Sequence, residues 1–386
     1  MEKVAVVKCK EYKEKLLQEK ISTLLNEFGG IQSFVKEGQK VLLKVNLVLD
    51  KPAEAMVTTH PLLVKVIAKM VKAAGAKPII GDSPGGPFNK NILERAYQKT
   101  GLADIAEELD IDLNYNTKQF TIPFDGLISK SFILGEYVRE ADVIINLAKL
   151  KTHGLTMLTG AVKNLFGAVP GLLKAEYHLK MPEIDNFSNM LVDLALCVNA
   201  DLNIIDGVWG MEGEGPTAGD PRNYSYIFAS SSPFAVDLAV ANFLGVTPVS
   251  KAPIIKAALE RGLAVNMDDI ELVGDEFPIL NNVKIPQVVE FSNLLDRKMP
   301  RFLSEILSNL LRPRPVFMKD VCVGCGDCYR CCPPQVIEMK DNKAEVDLSG
   351  CIRCFCCQEL CKYQAVKIKR PLLSKLLSRY EFYTKN

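Results

Sequence analysis

The sequence has little histidine, little tryptophan and almost no net charge. Three of its 386 residues are histidine, one is tryptophan, and the formal net charge is +1. A nearly neutral chain has no bulk positive field of the kind that binds nucleic acid or an anionic membrane. No uncharged apolar run approaches the roughly 18 residues that a membrane-spanning helix requires. The sequence therefore predicts no nucleic-acid partner and no transmembrane segment.

Motifs for secretion and for nucleotide binding are missing as well. The opening residues, MEKVAVVKCKEYKEK, have neither the apolar core nor the small-residue cleavage site of a secretory signal. The chain contains no Walker loop and no G-x-G-x-x-G fingerprint. We therefore expect a cytoplasmic protein that binds no nucleotide through these motifs.

Cysteine is present, but almost all of it lies in one short region. Ten of the 12 cysteines fall between Cys322 and Cys361, and only Cys9 and Cys197 lie elsewhere. In a reducing compartment, clustered thiols are more often metal ligands than disulfides. The spacing Cys-x2-Cys-x2-Cys-x3-Cys occurs twice, at Cys322, Cys325, Cys328 and Cys332 and again at Cys351, Cys354, Cys357 and Cys361.

This repeated spacing predicts two 4Fe-4S clusters. Three thiolates of each run grip one cluster, and the fourth ligates the other cluster. The predicted ligand sets are Cys322, Cys325, Cys328 and Cys361 for the first cluster, and Cys351, Cys354, Cys357 and Cys332 for the second. Zinc is the alternative, but it needs four ligands around one point and fits the triple spacing poorly. Cys331 and Cys356 lie off the spacing, so we expect them to pack beside the clusters.

The cysteine runs and their flanks resemble the two-cluster bacterial ferredoxin family. Val336–Met339 and Ala344–Val346 bracket a turn at Asp341-Asn342, and Val366–Ile368 repeats the strand position after the second run. Lys362 departs from the family, which usually has proline after the fourth cysteine. The departure removes no ligand.

Residues 1–290 alternate apolar and amphipathic segments, which is typical of an α/β domain with a layered, mostly parallel sheet. The predicted strands are Val4–Lys8, Val41–Asn46, Lys77–Gly81, Asp142–Leu147, Leu202–Asp206 and Tyr226–Ala229. The predicted helices are Tyr12–Phe28, Pro61–Ala74, Asn89–Lys99, Asn186–Val198, Phe234–Leu244 and Ala252–Arg261.

Three further segments complete the predicted organisation. Residues 291–315 carry leucines at helical spacing and end in Arg312-Pro313-Arg314-Pro315, which indicates a linker helix. Residues 316–370 form the small α+β ferredoxin-like domain with its two clusters. Residues 371–386 form a basic amphipathic tail, which we expect to dock on the protein, although such tails also bind membrane surfaces.

The histidines and several lysines point to a pocket in the larger domain. His153 follows the buried strand that starts at Asp142, and ligands of α/β sheets collect at the carboxyl ends of strands. Lys163 and His178 follow in glycine-rich segments. A lone histidine is usually structural, but histidines interleaved with lysines favour a functional site. We therefore predict catalytic roles for His153, Lys163, His178 and His60.

Two loops are candidate binding segments. Gly81-Asp82-Ser83-Pro84-Gly85-Gly86 follows a strand, so its N–H groups could cradle an anion, although a plain turn fits equally well. The segment from Asp206 to Asp220 is rich in glycine and carries Glu212 and Glu214. It could hold a metal or a substrate amine, or be a solvated loop.

Together these residues resemble the domain-of-unknown-function 362 family, over roughly residues 40–250. The matching segments are Lys44-Val-Asn46, Thr58-Thr-His60-Pro61, Gly81-Asp-Ser83-Pro, Asp142 to His153, Lys163-Asn-Leu-Phe-Gly167, Glu212-Gly-Glu-Gly-Pro216 and Asp237. Members often carry a ferredoxin module, and their chemistry is largely uncharacterised. The candidate cofactor-binding residues in these segments are Lys44, Asn46, Asp82, Ser83, Asn164, Glu212 and Glu214.

The order His153, Lys163, Pro170-Gly171, His178 is similar to a segment of the nickel-pincer lactate racemase family. In that family a histidine transfers a proton, a lysine engages the pincer cofactor and a later histidine binds nickel. The aspartate–histidine–threonine–arginine–proline motif of the family is only echoed by Thr58-Thr-His60-Pro61, which lacks the arginine. The resemblance therefore implies the location of a pocket and not racemase activity.

We predict an iron–sulfur redox protein that passes low-potential electrons through two clusters to a substrate or cofactor in the larger domain. The expected partners are a redox protein or ferredoxin and a small anionic substrate, and an additional metal or organic cofactor is left open. A non-catalytic electron carrier or cluster-delivery partner is the first alternative. The second is a metal-dependent, isomerase-like enzyme with structural clusters.

Overall fold

The computed structural model describes residues 1–264, 266–286 and 312–371. The strands are β1 (Glu2–Lys8), β2 (Lys40–Lys44), β3 (Lys77–Gly81), β4 (Asp112–Leu113), β5 (Gln119–Pro123), β6 (Ser131–Gly135), β7 (Val143–His153), β8 (Met157–Leu158), β9 (Leu202–Glu212), β10 (Asp220–Ser230), β11 (Ile270–Gly274), β12 (Arg314–Phe317), β13 (Ile337–Lys340), β14 (Lys343–Val346) and β15 (Val366–Lys369). The helices are α1 (Glu14–Asn26), α2 (Pro61–Ala73), α3 (Lys90–Thr100), α4 (Leu102–Leu109), α5 (Glu136–Arg139), α6 (Ala161–Asn164), α7 (Leu173–Lys180), α8 (Ile184–Val198), α9 (Pro233–Phe243), α10 (Pro253–Glu260), α11 (Asp327–Arg330) and α12 (Cys356–Glu359). Short 3-10 turns cover Ile31–Ser33, Ala53–Ala55, Leu165–Ala168, Val249–Lys251 and Met267–Asp269.

One large sheet organises residues 1–286. Its strand order is β11-β1-β10-β9-β7-β2-β3-β4, with β8 paired to β7. All neighbours on this path are parallel except β10, which runs antiparallel to both β1 and β9. The predicted α/β class and mostly parallel sheet are confirmed.

Helices cover both faces of this sheet, and alternate strand residues supply the two cores. One face buries Val41, Leu43 and Ile145 against α1, α2 and α3. The other face buries Leu42 and Ile144 against α6 and α8, and a neighbouring cluster continues under α9. Burial on both faces is typical of a mostly parallel sheet, which the alternation of apolar and amphipathic segments predicted.

Two central strands are longer than predicted. β7 continues through His153 and every one of its residues is buried, although Lys149, Lys151 and Thr152 interrupt its apolar run. β9 continues to Glu212 and forms an antiparallel ladder with β10. Much of the segment expected to be a flexible acidic loop is therefore strand, and only residues 213–219 connect the pair. Polar residues in these strands are tolerated because partners inside the fold bind them.

The C-terminal module is built from two small antiparallel pairs and two short helices. β12 pairs with β15 and β13 pairs with β14, while α11 and α12 carry cysteines of the two runs. Its buried cluster is made of module residues alone, among them Cys328, Ile337 and Val366. Of the predicted linker helix, residues 291–311 lie outside the described residues, and β12 already begins at Arg314. Of the predicted tail, residues 372–386 lie outside them.

Within residues 1–264, 266–286 and 312–371, no helix combines the length and the apolarity needed to cross a bilayer.

The separate cores predict that the α/β domain folds without the clusters. A variant with Cys325, Cys328, Cys354 and Cys357 all changed to Ser should lose the module's structure, because metal binding and folding are coupled in small domains. Differential scanning calorimetry should still record one cooperative transition from the α/β domain. Adding Leu43→Ala to this variant should lower its stability by about 2–5 kcal/mol, since Leu43 is fully buried. A featureless melt of the cysteine variant would contradict the division.

Candidate functional site

A cleft opens at the carboxyl ends of β2, β3 and β7, where the α/β domain meets the module. It encloses about 810 Å³ of atom-free space, a volume that includes its open mouth. Seven residues predicted from the sequence line it, namely Asn46, Asp82, Ser83, His153, Lys163, Asn164 and His178. Lys151 and Lys174 line it as well, and the module contributes Cys331, Cys356, Glu359 and Leu360.

A buried ion pair supports the floor of the cleft. Lys44 ends β2, Asp82 follows β3, and their Nζ and Oδ1 atoms lie 2.8 Å apart with both residues buried. The other carboxylate oxygen of Asp82, Oδ2, accepts a hydrogen bond from the backbone N–H of Leu47 at 2.7 Å. Gly167 is required nearby, because a Cβ there would lie 2.0 Å from Asp82 Oδ1. Lys44 thus holds the loop after β3 in place and does not itself line the cleft.

A chain of asparagine side chains crosses the sheet behind the cleft. Asn46 donates to Asn164 at 2.8 Å, Asn164 donates to Asn146 at 2.7 Å, and Asn146 donates to Asn203 at 2.8 Å. Buried amides need such partners, and here each one orients the next. The Oδ1 atom of Asn46 remains available and accepts a hydrogen bond from Lys151 Nζ at 2.5 Å.

Three lysine ammonium groups converge on the cleft. Lys174 Nζ donates to the carbonyl and hydroxyl oxygens of Ser83 at 2.9 and 3.0 Å. Burial lowers the pKa of Lys174 to about 7, and burial together with Lys149 lowers the pKa of Lys151 to about 7. Lys163 Nζ lies over the Phe166 ring at 4.7 Å, and among the described residues it has neither hydrogen bond nor ion pair. The cleft therefore has cations to spare for an anion.

Two histidines face the same space, and burial lowers the pKa of both rings. His153 Nδ1 accepts the N–H of Leu155 at 3.0 Å, so its proton sits on Nε2, which lies 3.1 Å from Glu359 Oε1. The angles of that contact are outside those of a hydrogen bond. Burial lowers the pKa of His178 to about 3, so this ring is neutral at pH 7 and stacks on Phe187 with centroids 4.2 Å apart.

Glu359 brings a negative charge from the module into the cleft. Burial would raise the pKa of this carboxyl, but His153 and Lys163 outweigh burial and lower it to about 2. Glu359 is therefore ionised at neutral pH. Sequence reasoning missed this residue, and the one available signal was its position between Cys357 and Cys361.

Besides Lys44, three predicted residues do not line the cleft. The His60 ring stacks on Tyr12 with centroids 3.5 Å apart, and its Nδ1 accepts the N–H of Leu62 at 3.2 Å, so it caps α2. Glu212 forms an ion pair with Arg222 at 2.7 Å. Glu214 forms one with Arg370 at 2.7 Å and so links the α/β domain to the module. Their positions favour structural roles.

The module contains two thiol-lined cavities. One is lined by Cys322, Cys325, Cys328 and Cys361. The other is lined by Cys332, Cys351, Cys354, Cys357 and also Cys356. Across the described ranges, no group of three or more His, Cys, Asp or Glu side chains is arranged so that it could hold a single metal ion. Each set of four thiols surrounds a space instead, and the softness of thiolate suits iron–sulfur chemistry, so the residues fit 4Fe-4S clusters.

The cysteines outside the ligand spacing both reach the cleft. Cys331 and Cys356 are buried and line it. Among the residues that the structure describes, Cys356 alone lines both the cleft and the second thiol cavity.

Comparison with known proteins identifies both parts of the chain. The family described as "Domain of unknown function (DUF362)" matches residues 41–242, and a 4Fe-4S dicluster domain matches residues 314–362. The Thylakoid-associated protein sll1697 of Synechocystis sp. is 33% identical over 309 residues, covering 78% of this chain and 92% of that protein. The chain therefore belongs to the DUF362 family.

Other relatives are more distant. The pyruvate synthase subunit PorD of Methanothermobacter marburgensis is 35% identical over 57 residues, which is 15% of this chain and 67% of that one. With the 4Fe-4S domain, this match supports iron–sulfur electron transfer as the role of the module, which implies a redox partner.

Two solved structures share a distant likeness. The lactate racemase apoprotein of Thermoanaerobacterium thermosaccharolyticum aligns with a TM-score of 0.40 and 14% identity over 64% of this chain. This chain spans 57% of the racemase. A protein from Thermotoga maritima aligns with a TM-score of 0.32 and 13% identity, over 67% of this chain and 61% of that one.

The lysine pKa values predict that the cleft binds anions more tightly at low pH. An ammonium with a pKa of about 7 is charged below pH 7 and neutral above it, so sulfate affinity should fall about tenfold between pH 6 and pH 8. Isothermal titration calorimetry at constant ionic strength measures this. Lys174→Met should flatten the dependence, whereas Lys13→Ala, at an exposed lysine, should not. Affinity that is independent of pH, or no binding at pH 6, would contradict the assignment of an anion site.

Proposed function

We propose that the protein passes electrons through two 4Fe-4S clusters to a small anionic molecule bound in the cleft. One observation carries the proposal, which is that Cys356 belongs to the walls of both the second thiol cavity and the cleft. A cluster in that cavity would lie beside whatever the cleft binds. This adjacency favours an electron-transfer enzyme over a carrier in which the α/β domain only docks to another protein.

The eight cysteines of the repeated spacing would hold the clusters. The first set is Cys322, Cys325, Cys328 and Cys361, and the second is Cys351, Cys354, Cys357 and Cys332, because each set lines its own cavity. When bound, each cluster supplies one electron at a time at low potential.

The α/β domain would bind and orient the molecule that is reduced. Lys163 is the first candidate for its anionic group, since its ammonium has neither a hydrogen bond nor an ion pair among the described residues. Lys151 and Lys174 add positive charge, and the amides of Asn46 and Asn164 are held in one orientation for further polar contacts. A carboxylate or a phosphate group fits this chemistry.

His153 would handle the proton that accompanies reduction. It holds a proton on Nε2 between the cleft and the Glu359 carboxylate, and the backbone at Nδ1 fixes that tautomer. His178 is neutral and would serve as a second polar wall. Leu47, Phe166 and Leu360 line the remaining space and limit the access of water.

The proposal predicts the iron content of the protein. Two clusters correspond to about eight irons and eight acid-labile sulfides per chain. Cys325→Ser and Cys354→Ser should each damage one cluster, whereas Cys331→Ser should leave the iron content nearly unchanged. Metal analysis and electron paramagnetic resonance of anaerobically purified protein test this. Zinc in place of iron, or equal losses in all three variants, would count against the ligand sets.

The proposal also predicts that ligand binding in the cleft depends on Lys163. Lys163→Ala should reduce retention of any co-purified small molecule, and sulfate affinity, by about tenfold or more, because the cleft loses an ammonium group that no hydrogen bond or ion pair of the described residues engages. The melting temperature and both clusters should be almost unchanged, since no described residue relies on Lys163 for a hydrogen bond. Mass spectrometry of the released small molecules measures retention, and calorimetry measures sulfate affinity. Mass spectrometry of the wild-type protein would also reveal a bound organic cofactor.

His153→Ala should likewise weaken turnover and alter its pH dependence, while Lys13→Ala is the control and should behave as wild type. Wild-type ligand content and sulfate affinity in both cleft variants would remove the cleft from the proposal. The carrier function would then be favoured.

A further inference from the structure

A second cavity adjoins the cleft where the α/β domain meets the module. It encloses about 520 Å³ of atom-free space, a volume that includes its open mouth, and we call it the side cavity. Its walls come from the loops after β2 and β3, from one face of α3, and from the module around α11 and Leu360. The residues that line both the side cavity and the cleft are Val48, Gly85, Gly86, Leu172, Cys331 and Leu360. A bound molecule longer than the cleft would therefore extend into the side cavity.

Most of the side chains that line the side cavity are apolar. Ile92 and Ala96 lie four residues apart on α3, so both face the cavity from the same side of the helix. Leu49 adds to this surface from the loop after β2, and Leu172 and Leu360 continue it to the cleft. An alkyl chain placed against these walls would lose contact with water, which is favourable.

The charged side chains that line the side cavity are paired with one another. Asp50 is shared between Arg95 at 2.5 Å and Lys362 at 2.7 Å, and Arg330 forms an ion pair with Asp327 at 2.6 Å. The cleft differs in this respect, because one of its lysine ammonium groups has neither a hydrogen bond nor an ion pair among the described residues. An anion is therefore better accommodated in the cleft, and an uncharged chain in the side cavity.

The lining changes from polar to apolar within two consecutive residues of the module. Glu359 lines the cleft alone, whereas Leu360 lines both the cleft and the side cavity. Leu360 packs closely on the loop after β3, since a Cβ at Gly85 would lie 2.2 Å from Leu360 Cδ2. The N–H of Gly85 donates to the Val48 carbonyl at 3.0 Å, which holds this loop against the loop after β2. The boundary between the two cavities is therefore built by both parts of the chain.

We infer that the side cavity binds an unbranched alkyl or acyl chain attached to the anionic group that the cleft binds. The inference rests on the proposed function, because the anionic group would lie against Lys163, and it adds the chemical class of the ligand. That class is an organic acid with an apolar chain. A second anionic group at the outer end of the chain is disfavoured, because it would compete with Asp50 and Asp327 for cations that they already pair.

Calorimetry of the anaerobically purified, full-length holoprotein with straight-chain carboxylates at pH 6 tests the inference. Affinity should rise from acetate through butyrate and hexanoate to octanoate, by about fourfold for each methylene that enters the side cavity. Sulfate and acetate report on the cleft alone. Equal affinity for all four acids would overturn the inference, and sulfate binding in the same protein would leave the proposed function standing. Absence of sulfate binding as well would contradict the cleft and the inference together.

Ile92→Trp should remove most of the chain-length dependence, because the indole would occupy the side cavity, and Ile92 does not line the cleft. Iron content and the affinities for sulfate and acetate should match those of wild type. Ile279→Trp, at a side chain 62% exposed on the α/β domain, is the matched control and should retain the full dependence. Pro87→Trp, at an exposed residue that also lines only the side cavity, replaces Ile92→Trp if that variant loses iron or stability.

Two further results would overturn the inference. Unchanged chain-length dependence in a folded, cluster-loaded Ile92→Trp or Pro87→Trp variant would place the alkyl chain elsewhere. Tighter binding of octanedioate than of octanoate would assign the outer end of the side cavity to a second anion.

Discussion

Three lysine side chains are buried at the carboxyl ends of β2 and β7, and the site depends on how each charge is compensated. Lys44 pairs with Asp82, Lys149 pairs with Asp206 at 3.0 Å, and Lys151 donates to Asn46 and to the Val57 carbonyl. Burying such an ion costs several kcal/mol, and removing its partner costs about 3–5 kcal/mol. Each lysine therefore ties one or two loops to the sheet, and those loops form the cleft. These contacts contribute more to fixing one arrangement of the loops than to the net stability of the fold.

The sequence predicted the module well because its information is local. Eight cysteines at a strict spacing leave few ligand sets, and the two cavities contain the predicted groups of four. The α/β class was equally accessible, because alternation of apolar and amphipathic segments depends on neighbours in the chain. The ends of the strands could not be predicted from the sequence in this way. Lys149 and Lys151 read as the start of a loop, and only their partners on β9 and after β2 explain why β7 continues to His153.

The cleft brings together seven of the residues singled out in the sequence, and a distant part of the chain contributes further walls. His153, Lys163 and His178 were singled out by composition and by their position after a strand. Glu359 lies more than 200 residues away from His153, in a module that looked self-contained. His60 was grouped with the other histidines by rarity and by its place in the family segment Thr58-Thr-His60-Pro61, but it stacks on Tyr12 and caps a helix. Rarity is a property of composition, whereas a shared site requires contact in space.

The wall that Cys356 shares between the second cavity and the cleft has a thermodynamic consequence. On the proposed arrangement, an anion in the cleft and an electron on the neighbouring cluster are two negative charges held close together in a poorly solvated region. Each would disfavour the other, and by reciprocity the factor by which reduction weakens anion binding equals the factor by which the anion lowers the electron affinity of the cluster. Neutralising the bound molecule by protonation would relieve that repulsion. Arrival of the proton would then favour onward movement of the electron, while an unprotonated ligand would favour its return to the donor.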